Sequence, residues 1–485
     1  MKLRFWLALL LLVSGCAGSS RVRSTTGPGS GFLTLVPPMV RALRPGYRVT
    51  PILTAGDTLV SDQAGAPPFV FPGRAAGLGA RDRGDGTAEV YVAHDDTWLD
   101  NVEGSAVSKL ILDLRNSGVL DASYPIRTDR GYQGLSRAAL LDSRVGFLRP
   151  ELFLNERGHR LRNPLVAALD GLSGVVQDLP WLGAMRHKST IALSGTGGRT
   201  LMILTGGAST GSVDQLYMYL ANSDNDVLTG SGQLHVFRAD ASAIPFSSRS
   251  AAGLRRAQPV RGEFVPLDGG SVRDPAALDA RVQGLGCLNF VRLEGVALDR
   301  EKPNSFYFTD RLGYSQDGFV PTASAGGGRL YHVTLDPFNP TQVQELEVVL
   351  DASAGDDIFR PSSLDTDEQC VMIQEYPGSR GVHAARIVRY VPREHRLEAV
   401  ADCVERDTRG REDPQGVGGE WETSGITNVS DLFGEDSWLF TVQAHTVEIR
   451  VDRYRRGEGG QLLLLRGPRF PAPPARTGTG EETKP

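Results

Sequence analysis

Cysteine, tryptophan and methionine are scarce in this chain of 485 residues, which has 4, 5 and 6 of them. No Cys-x-x-Cys spacing and no zinc-type Cys/His spacing is present, so a structural zinc site is not expected. The formal net charge of -5 gives no reason to expect nucleic acid as a partner. The sequence also lacks Gly-Lys-Ser/Thr, which argues against a P-loop protein.

The N-terminus carries a targeting signal. Lys2 and Arg4 precede an apolar run, 5–13, that is too short to span a bilayer comfortably. Small residues then lead to Cys16, a pattern typical of a bacterial lipoprotein that is cleaved before Cys16 and lipidated on its thiol. An ordinary signal peptide or a short membrane anchor is the alternative. Ala17 after the cysteine resembles outer-membrane sorting, so we expect a lipid-anchored protein of the bacterial cell envelope.

Composition divides the chain into four parts. Residues 1–16 form the signal peptide, and 17–46 are rich in Ser, Gly, Thr and Pro and predict a flexible tether. Residues 47–466 form the folded domain, and 467–485 predict a disordered tail.

Three cysteines remain beyond the signal, which is an odd number. Two of Cys287, Cys370 and Cys403 could pair in an exported chain. Cys370 and Cys403 lie in strand-like runs, so they are equally compatible with small buried apolar residues.

Short strand-like runs dominate the folded domain, most clearly in 289–378. There NFVRLEGVALD, SFYFTD and GRLYHVTLD alternate with turn residues. Carboxylates stand at the ends of these runs: Glu294, Asp299, Asp310, Asp356, Asp357 and Glu375. The pattern predicts an all-β fold, a β-propeller with irregular insertions whose axis can hold metal ions. Roughly eighteen strand candidates at about four per blade predict five or six blades.

Other segments have weaker signals. Residues 190–204 predict a hairpin that turns at 195–198, and 274–283 predict a short helix. Residues 136–143 could also be a short helix, within an otherwise loop-rich region from 113 to 181. WD and kelch signatures and a fixed repeat period are absent, which argues against those propeller families.

Three motifs, in order along the chain, carry a resemblance to a known family. They are FPGRAAGLGARDRGDGT at 71–87, RLEGVALDREKPNSFYFTD at 292–310 and EWETSGITNVSDLFGEDSWLFTVQAH at 420–445. Over most of 47–450 the chain resembles the PhoX-type alkaline phosphatase family and its phytase/esterase-like relatives. The resemblance implies a β-propeller phosphatase with calcium and iron at its axis. There carboxylates hold metal ions that clamp the phosphate oxygens and activate the attacking oxygen.

The resemblance also implies site residues. Glu294 matches the glutamate of an Arg-Pro-Glu-Gly motif and is the best candidate for a metal ligand with a catalytic role; alternatively it is a strand-end glutamate paired with Arg292. His445 matches a Gln-Ala-His motif and is the second catalytic candidate, although a structural histidine bonded to a backbone carbonyl would look the same. The further implied metal ligands are Asp310, Glu375, His94, Asp95 and Glu422.

Several positions depart from the family pattern. Lys188 stands where an acid is expected, and Ser362 and Ser363 stand where Asp-Asn is expected. No cysteine lies between 113 and 181, where the family has one, so a thiolate that bridges iron is missing and iron is in doubt. Calcium is the expected metal.

Two hypotheses follow. In the first, the protein is a divergent phosphatase anchored to the membrane through lipid on Cys16, and its substrates are small phosphate monoesters. In the second, the propeller has lost its metal cluster and serves as a binding or structural lipoprotein of the envelope.

Overall fold

The computed structural model describes most of the chain after the first thirty residues. The described ranges are 31–60, 68–99, 102–158, 162–194, 199–207, 213–240, 249–311, 314–315, 318–321, 327–378, 383–405, 420–450 and 456–468. The predicted signal with Cys16, most of the predicted tail and the turn at 195–198 lie outside these ranges. None of the described helices is long and apolar enough to cross a membrane.

The described ranges are dominated by strands, as predicted. The strands are β1 (Val40–Ala42), β2 (Arg48–Thr54), β3 (Thr58–Leu59), β4 (Phe69–Val70), β5 (Ala75–Asp82), β6 (Thr87–Leu99), β7 (Val102–Asp113), β8 (Val119–Ile126), β9 (Leu135–Leu141), β10 (Glu151–Glu156), β11 (Val166–Asp170), β12 (Val176–Asp178), β13 (Arg186–Ser194), β14 (Thr200–Gly207), β15 (Asp214–Ala221), β16 (Gln233–Ala239), β17 (Val260–Pro266), β18 (Leu293–Leu298), β19 (Ser305–Asp310), β20 (Tyr314–Ser315), β21 (Gly318–Pro321), β22 (Arg329–Leu335), β23 (Gln342–Asp351), β24 (Pro361–Thr366), β25 (Val371–Glu375), β26 (Arg386–Val391), β27 (Arg396–Cys403), β28 (Glu422–Asn428), β29 (Ser437–Arg450) and β30 (Arg456–Arg466). The α-helices are α1 (Asp224–Thr229), α2 (Pro275–Leu285) and α3 (Ser430–Phe433). Single 3₁₀ turns occur at Thr128–Arg130, Ser143–Val145, Pro180–Leu182, Ala251–Gly253, Ser271–Arg273, Ala352–Ala354 and Pro392–Glu394.

The strands form antiparallel sheets arranged as the blades of a propeller. The sheet orders are β5-β6-β7-β8, β9-β10-β11-β12, β24-β25-β26-β27-β1, β28-β29-β30-β2 and the nine-stranded β13-β14-β15-β16-β17-β23-β22-β19-β18. The four smaller sheets are separate blades. Two short pairs, β3-β4 and β20-β21, lie outside them.

Each of the four smaller sheets contributes one strand to the centre of the molecule, and the nine-stranded sheet contributes its two end strands, β13 and β18. Neighbouring strands pack in the closed order β5, β9, β13, β18, β24, β28 and back to β5. Strand β2, from the start of the described chain, pairs with the C-terminal β30 and so joins the two ends of the fold. Strand β1 lies within 17–46, the range predicted as a flexible tether. It is nevertheless ordered as a strand, because its backbone pairs with β27 and completes the edge of that sheet.

Two expectations for the middle of the chain are wrong. Residues 136–143, a possible helix, lie mostly in β9, because pairing with β10 outweighs the local helix preference of Ala and Leu. The region 113–181 carries β8 to β12 rather than loops. The helix predicted at 274–283 is confirmed as α2, which Asp274 caps by accepting the backbone N–H of Ala277.

The cores lie between the blades, and all three remaining cysteines belong to them. Cys287, Cys370 and Cys403 are buried and not bonded to one another. They therefore pack as small apolar side chains, one of the two alternatives raised by the sequence.

Candidate functional site

Each central strand is irregular near its N-terminal end, on one face of the propeller. The pairing register shifts at Ala75/Leu78 in β5, opposite Asn155/Glu156 in β9, at His187/Ser189 in β13, at Leu293/Val296 in β18, at Pro361/Leu364 in β24 and at Thr423/Ile426 in β28. Bulges of this kind re-aim side chains and are frequent beside functional sites. The mouth of the propeller is therefore built from residues at six bulges.

The bulge in β18 carries Glu294. Thr205 donates a hydrogen bond to the backbone carbonyl of Glu294 at 2.8 Å, and the N–H of Gly295 donates to the hydroxyl of Thr309 at 3.0 Å. Thr309 in turn donates to the carbonyl of Ser362 in the next blade at 2.7 Å. A Cβ at Gly295 would lie 2.6 Å from that carbonyl, so only glycine fits the close approach.

Four cationic side chains surround the carboxylate of Glu294. Lys188 Nζ, Arg292 Nε and Arg311 Nη1 lie 3.4, 3.5 and 3.6 Å from Oε1, and Arg137 Nη2 lies 3.8 Å from Oε2. They come from β13 and the ends of β18 and β19, all in the nine-stranded sheet, and from β9 in a second sheet. Lys188 and Glu294 are almost wholly buried, whereas the Arg292 side chain is 37% exposed. The cluster therefore has one side open to solvent.

The cluster is strongly positive. Four cations face one carboxylate, a net of three positive charges. Burial raises the pKa of Glu294, but the surrounding cations outweigh burial and hold that pKa well below its usual range. Burial lowers the pKa of Lys188 to about 8 despite the attraction of Glu294. Asp214, Glu422 and Arg157 add two negative charges and one positive charge within electrostatic reach, which still leaves an excess of positive charge.

A channel of about 140 Å³ continues from the cluster along the propeller axis. It is lined by the central strands, including Gly77, Arg137, Thr190, Gly295, Ser363 and Gly425. Arg137 belongs to both the channel wall and the cluster around Glu294. The cluster thus borders the channel through Arg137.

Asp310 and Glu375, both predicted metal ligands, lie at the same face but are engaged by protein groups. The carboxylate of Asp310 accepts the backbone N–H of Arg292 at 2.9 Å and so helps to position that arginine. Glu375 is fully buried and accepts hydrogen bonds from Arg386 at 2.8 and 2.9 Å and from the backbone N–H of Phe359 at 2.8 Å.

His94 and Asp95, at a bend in β6, are also engaged. The ring nitrogens of His94 lie 3.1 Å from the carbonyl of Gly73 and 2.8 Å from the hydroxyl of Ser108, and burial lowers its pKa to about 4. Asp95 pairs with Arg157 at 2.6 Å. His94 is a buried neutral histidine with both nitrogens in use.

His445 and Glu422 lie on β29 and β28. His445 Nδ1 is 2.6 Å from a carboxylate oxygen of Glu458, rather than a backbone carbonyl, and Glu458 also contacts Arg74 at 3.4 Å. Burial lowers the pKa of His445, but the bond to Glu458 outweighs burial and raises it. Glu422 accepts a hydrogen bond from Ser424 at 3.4 Å.

These placements do not fit the implied metals. In the described part of the chain, no three His, Cys, Asp or Glu side chains form a group that could hold a metal ion. Each of the six predicted ligands already has a partner in the protein. The partner is an arginine or lysine, a serine, a backbone N–H group or, for His94, the carbonyl of Gly73 as well as a serine. Four fixed cations also repel a divalent ion near Glu294. Calcium and iron stay predictions for which these residues offer no donor set.

Sequence reasoning missed Arg137 and Arg311 as site residues. Arg137 lay in the segment considered as a helix, and Arg311 directly follows the SFYFTD run. The sequence identifies Lys188 only as a replacement for an acid. A search for basic residues, as well as acidic ones, at the strand ends would have found all three.

Comparison with known proteins supports the fold. No family model and no curated protein matches the chain. Pseudomonas fluorescens PhoX in complex with vanadate, a transition state analogue, aligns with a TM-score of 0.62 and 11% identity over 88% of this chain and 96% of that chain. This chain has a PhoX-like propeller fold.

Two further solved structures align less closely. The Penicillium chrysogenum α-L-arabinanase with arabinobiose has a TM-score of 0.42 and 10% identity over 85% of this chain and 98% of that chain. The Xanthomonas citri GH43_1 enzyme with xylose has a TM-score of 0.32 and 12% identity over 80% of this chain and 87% of that chain.

Proposed function

We propose that this chain is a cell-envelope lipoprotein that hydrolyses small phosphate monoesters at the mouth of a six-bladed propeller. The observation that carries the proposal is the convergence of Arg137, Lys188, Arg292 and Arg311 around Glu294 at the propeller mouth. Cationic donors of this kind bind phosphoryl oxygens and stabilise charge that develops on them. The PhoX-like fold and the lipoprotein-type signal ending at Cys16 support the activity class and the location.

The count of six treats the nine-stranded sheet as two blades. Its two ends, β13-β14-β15-β16 and β18-β19-β22-β23, each have the size and order of a single blade. Strand β17 bridges them by pairing with the outer strands β16 and β23. This division also agrees with the six strands that pack around the axis.

His445 is the candidate proton donor to the leaving alcohol. Its raised pKa keeps more of the ring protonated near neutral pH, as a general acid requires. Because Nδ1 is engaged by Glu458, proton transfer to a substrate would use Nε2.

The second candidate function is binding without turnover. The observation that favours it is that the acids expected to hold metals are occupied by ion pairs and hydrogen bonds, as for Glu375 and Asp95. A propeller that binds a phosphate ester in its mouth and does not cleave it would serve as a receptor or structural protein of the envelope.

The test is turnover of p-nitrophenyl phosphate by the purified chain, with EDTA and with added calcium. We expect turnover, and we expect Arg311→Gln to lower kcat/KM by about 10²-fold or more, in the range of losses when one charge-stabilising donor is removed. Arg115→Gln is the matched control, because Arg115 is 82% exposed and follows β7 at the opposite face. Phosphate binding without turnover would favour the second candidate.

A further inference from the structure

The four cationic side chains around Glu294, namely those of Arg137, Lys188, Arg292 and Arg311, form a cage that is wider than one carboxylate requires. Its four cation–oxygen distances are 3.4 to 3.8 Å. Charge-assisted bonds in proteins are normally about 2.7–2.9 Å. Elsewhere on the same face Arg386 reaches Glu375 at 2.8 Å and Arg157 reaches Asp95 at 2.6 Å. The Glu294 cage is therefore loose at a place where tight pairs are feasible.

The cage also has more donors than its carboxylate can accept. Three arginines and one lysine carry about eighteen N–H donors, whereas one carboxylate offers about four acceptor positions. Two of these donors, Arg137 Nε and Arg292 Nε, are buried without a hydrogen-bond partner among the described residues. Unsatisfied buried donors are rare and point to a missing acceptor.

The excess charge indicates what kind of acceptor fits. Once Asp214, Glu422 and Arg157 are counted, the remaining net of two positive charges is balanced by a dianion. A tetrahedral oxyanion also has more acceptor positions than a carboxylate. A divalent cation would meet repulsion from all four side chains. The site thus suits a phosphoryl group held by side chains.

We propose that Glu294 is an internal counterion that occupies this anion site at rest, and that an incoming phosphoryl group binds by displacing it, without a metal ion. The bulge supports such a role, because Thr205 and Thr309 bond only to the backbone of Glu294 and Gly295, so neither bond restrains the carboxylate. The ligand class rests on the proposed function; the counterion role rests on the cage alone. Glu294 is then neither a metal ligand nor a catalytic group.

The test is calorimetric titration of the full chain with inorganic phosphate, in EDTA and at constant ionic strength. We expect wild type to bind, Glu294→Gln to bind about tenfold more tightly, and Arg311→Gln to bind about tenfold more weakly, since one charge-assisted contact changes in each. Glu89→Gln is the matched control, because Glu89 is a buried glutamate between Arg81 and Lys109, away from the cage. Its affinity should equal that of wild type.

Binding that appears only after calcium is added, or weaker binding by Glu294→Gln than by wild type, would overturn the counterion role. If Glu294→Gln folds poorly, melting scans decide instead: phosphate should raise its Tm more than that of wild type, and an equal or smaller rise contradicts the proposal. The two proposals fail separately. Tighter binding by Glu294→Gln with no ester turnover rejects the phosphatase and keeps the counterion, whereas turnover with weakened binding does the reverse.

Discussion

Replacing Arg386 with leucine should destabilise the protein, because it leaves a buried carboxylate alone. Glu375 is fully buried, and Arg386 supplies its two ionic hydrogen bonds, at 2.8 and 2.9 Å. After the substitution, its remaining partners are the N–H of Phe359 at 2.8 Å and His383 at 3.9 Å. Breaking one side of a buried pair removes about 3–5 kcal/mol from the free energy of unfolding.

The expected shift in Tm is small but measurable. At about 2.1 cal/mol/K per residue, the unfolding entropy of a chain of this length is roughly 1 kcal/mol/K, so Arg386→Leu should lower Tm by about 3–5 °C. The loss should be largest at neutral pH and above. Burial already raises the pKa of Glu375, so as the pH falls the lone carboxyl takes up a proton and its burial costs less.

A double-mutant cycle separates this pair from a metal site. Glu375→Leu combined with Arg386→Leu should recover most of the loss, because no buried charge remains. The ion-pair interpretation is wrong if Arg386→Leu loses less than about 1 kcal/mol, well below the usual loss for a broken buried pair. It is also wrong if calcium raises the Tm of wild type but not that of Glu375→Gln, which would make Glu375 a metal ligand.

Other parts of the fold give three further stability predictions. Gly425→Ala should lower the free energy of unfolding by several kcal/mol, as measured by chemical denaturation. The reason is that the new Cβ would lie 1.8 Å from a backbone carbonyl of the neighbouring blade. Gly284→Ala in α2, where an added Cβ meets nothing within 4 Å, should instead raise the free energy of unfolding by about 0.5–1 kcal/mol. Burial lowers the pKa of His332, but Asp299 and Glu347 outweigh burial and raise it, so His332→Asn should lower Tm more at pH 6 than at pH 8, because the stability that the protonated ring contributes is lost as the pH rises through the raised pKa. Equal losses at both pH values would contradict this interpretation.

The propeller could be predicted because its strands carry local signals. β18, β19 and β22 are short apolar or aromatic runs between clear turns, and α2 begins with a capping aspartate and a proline. β9 could not be predicted in the same way. Its Ala- and Leu-rich sequence has no strand preference of its own, and only pairing with β10 makes it extended.

The bulges could not be predicted either, and they decide which side chains meet. A bulge depends on the register between two strands, which one strand's sequence does not contain. Without the shift at His187/Ser189, the alternation of β13 would place Lys188 differently with respect to Glu294. Lys188 and Glu294 are 106 positions apart in the chain, so no local pattern connects them.

A carboxylate at a strand end has the same sequence pattern whether it holds a metal ion or an arginine. The structure separates these cases by the number and distance of the cations around it. One arginine at 2.8 and 2.9 Å satisfies Glu375, so that pair is a closed structural unit. By contrast, the four cations around Glu294 lie 3.4 Å or more from its carboxylate, so that carboxylate does not satisfy their hydrogen-bond donors. Excess buried positive charge is destabilising unless an anion balances it. We therefore expect the loose cage around Glu294 to be the part of the propeller mouth that binds a ligand.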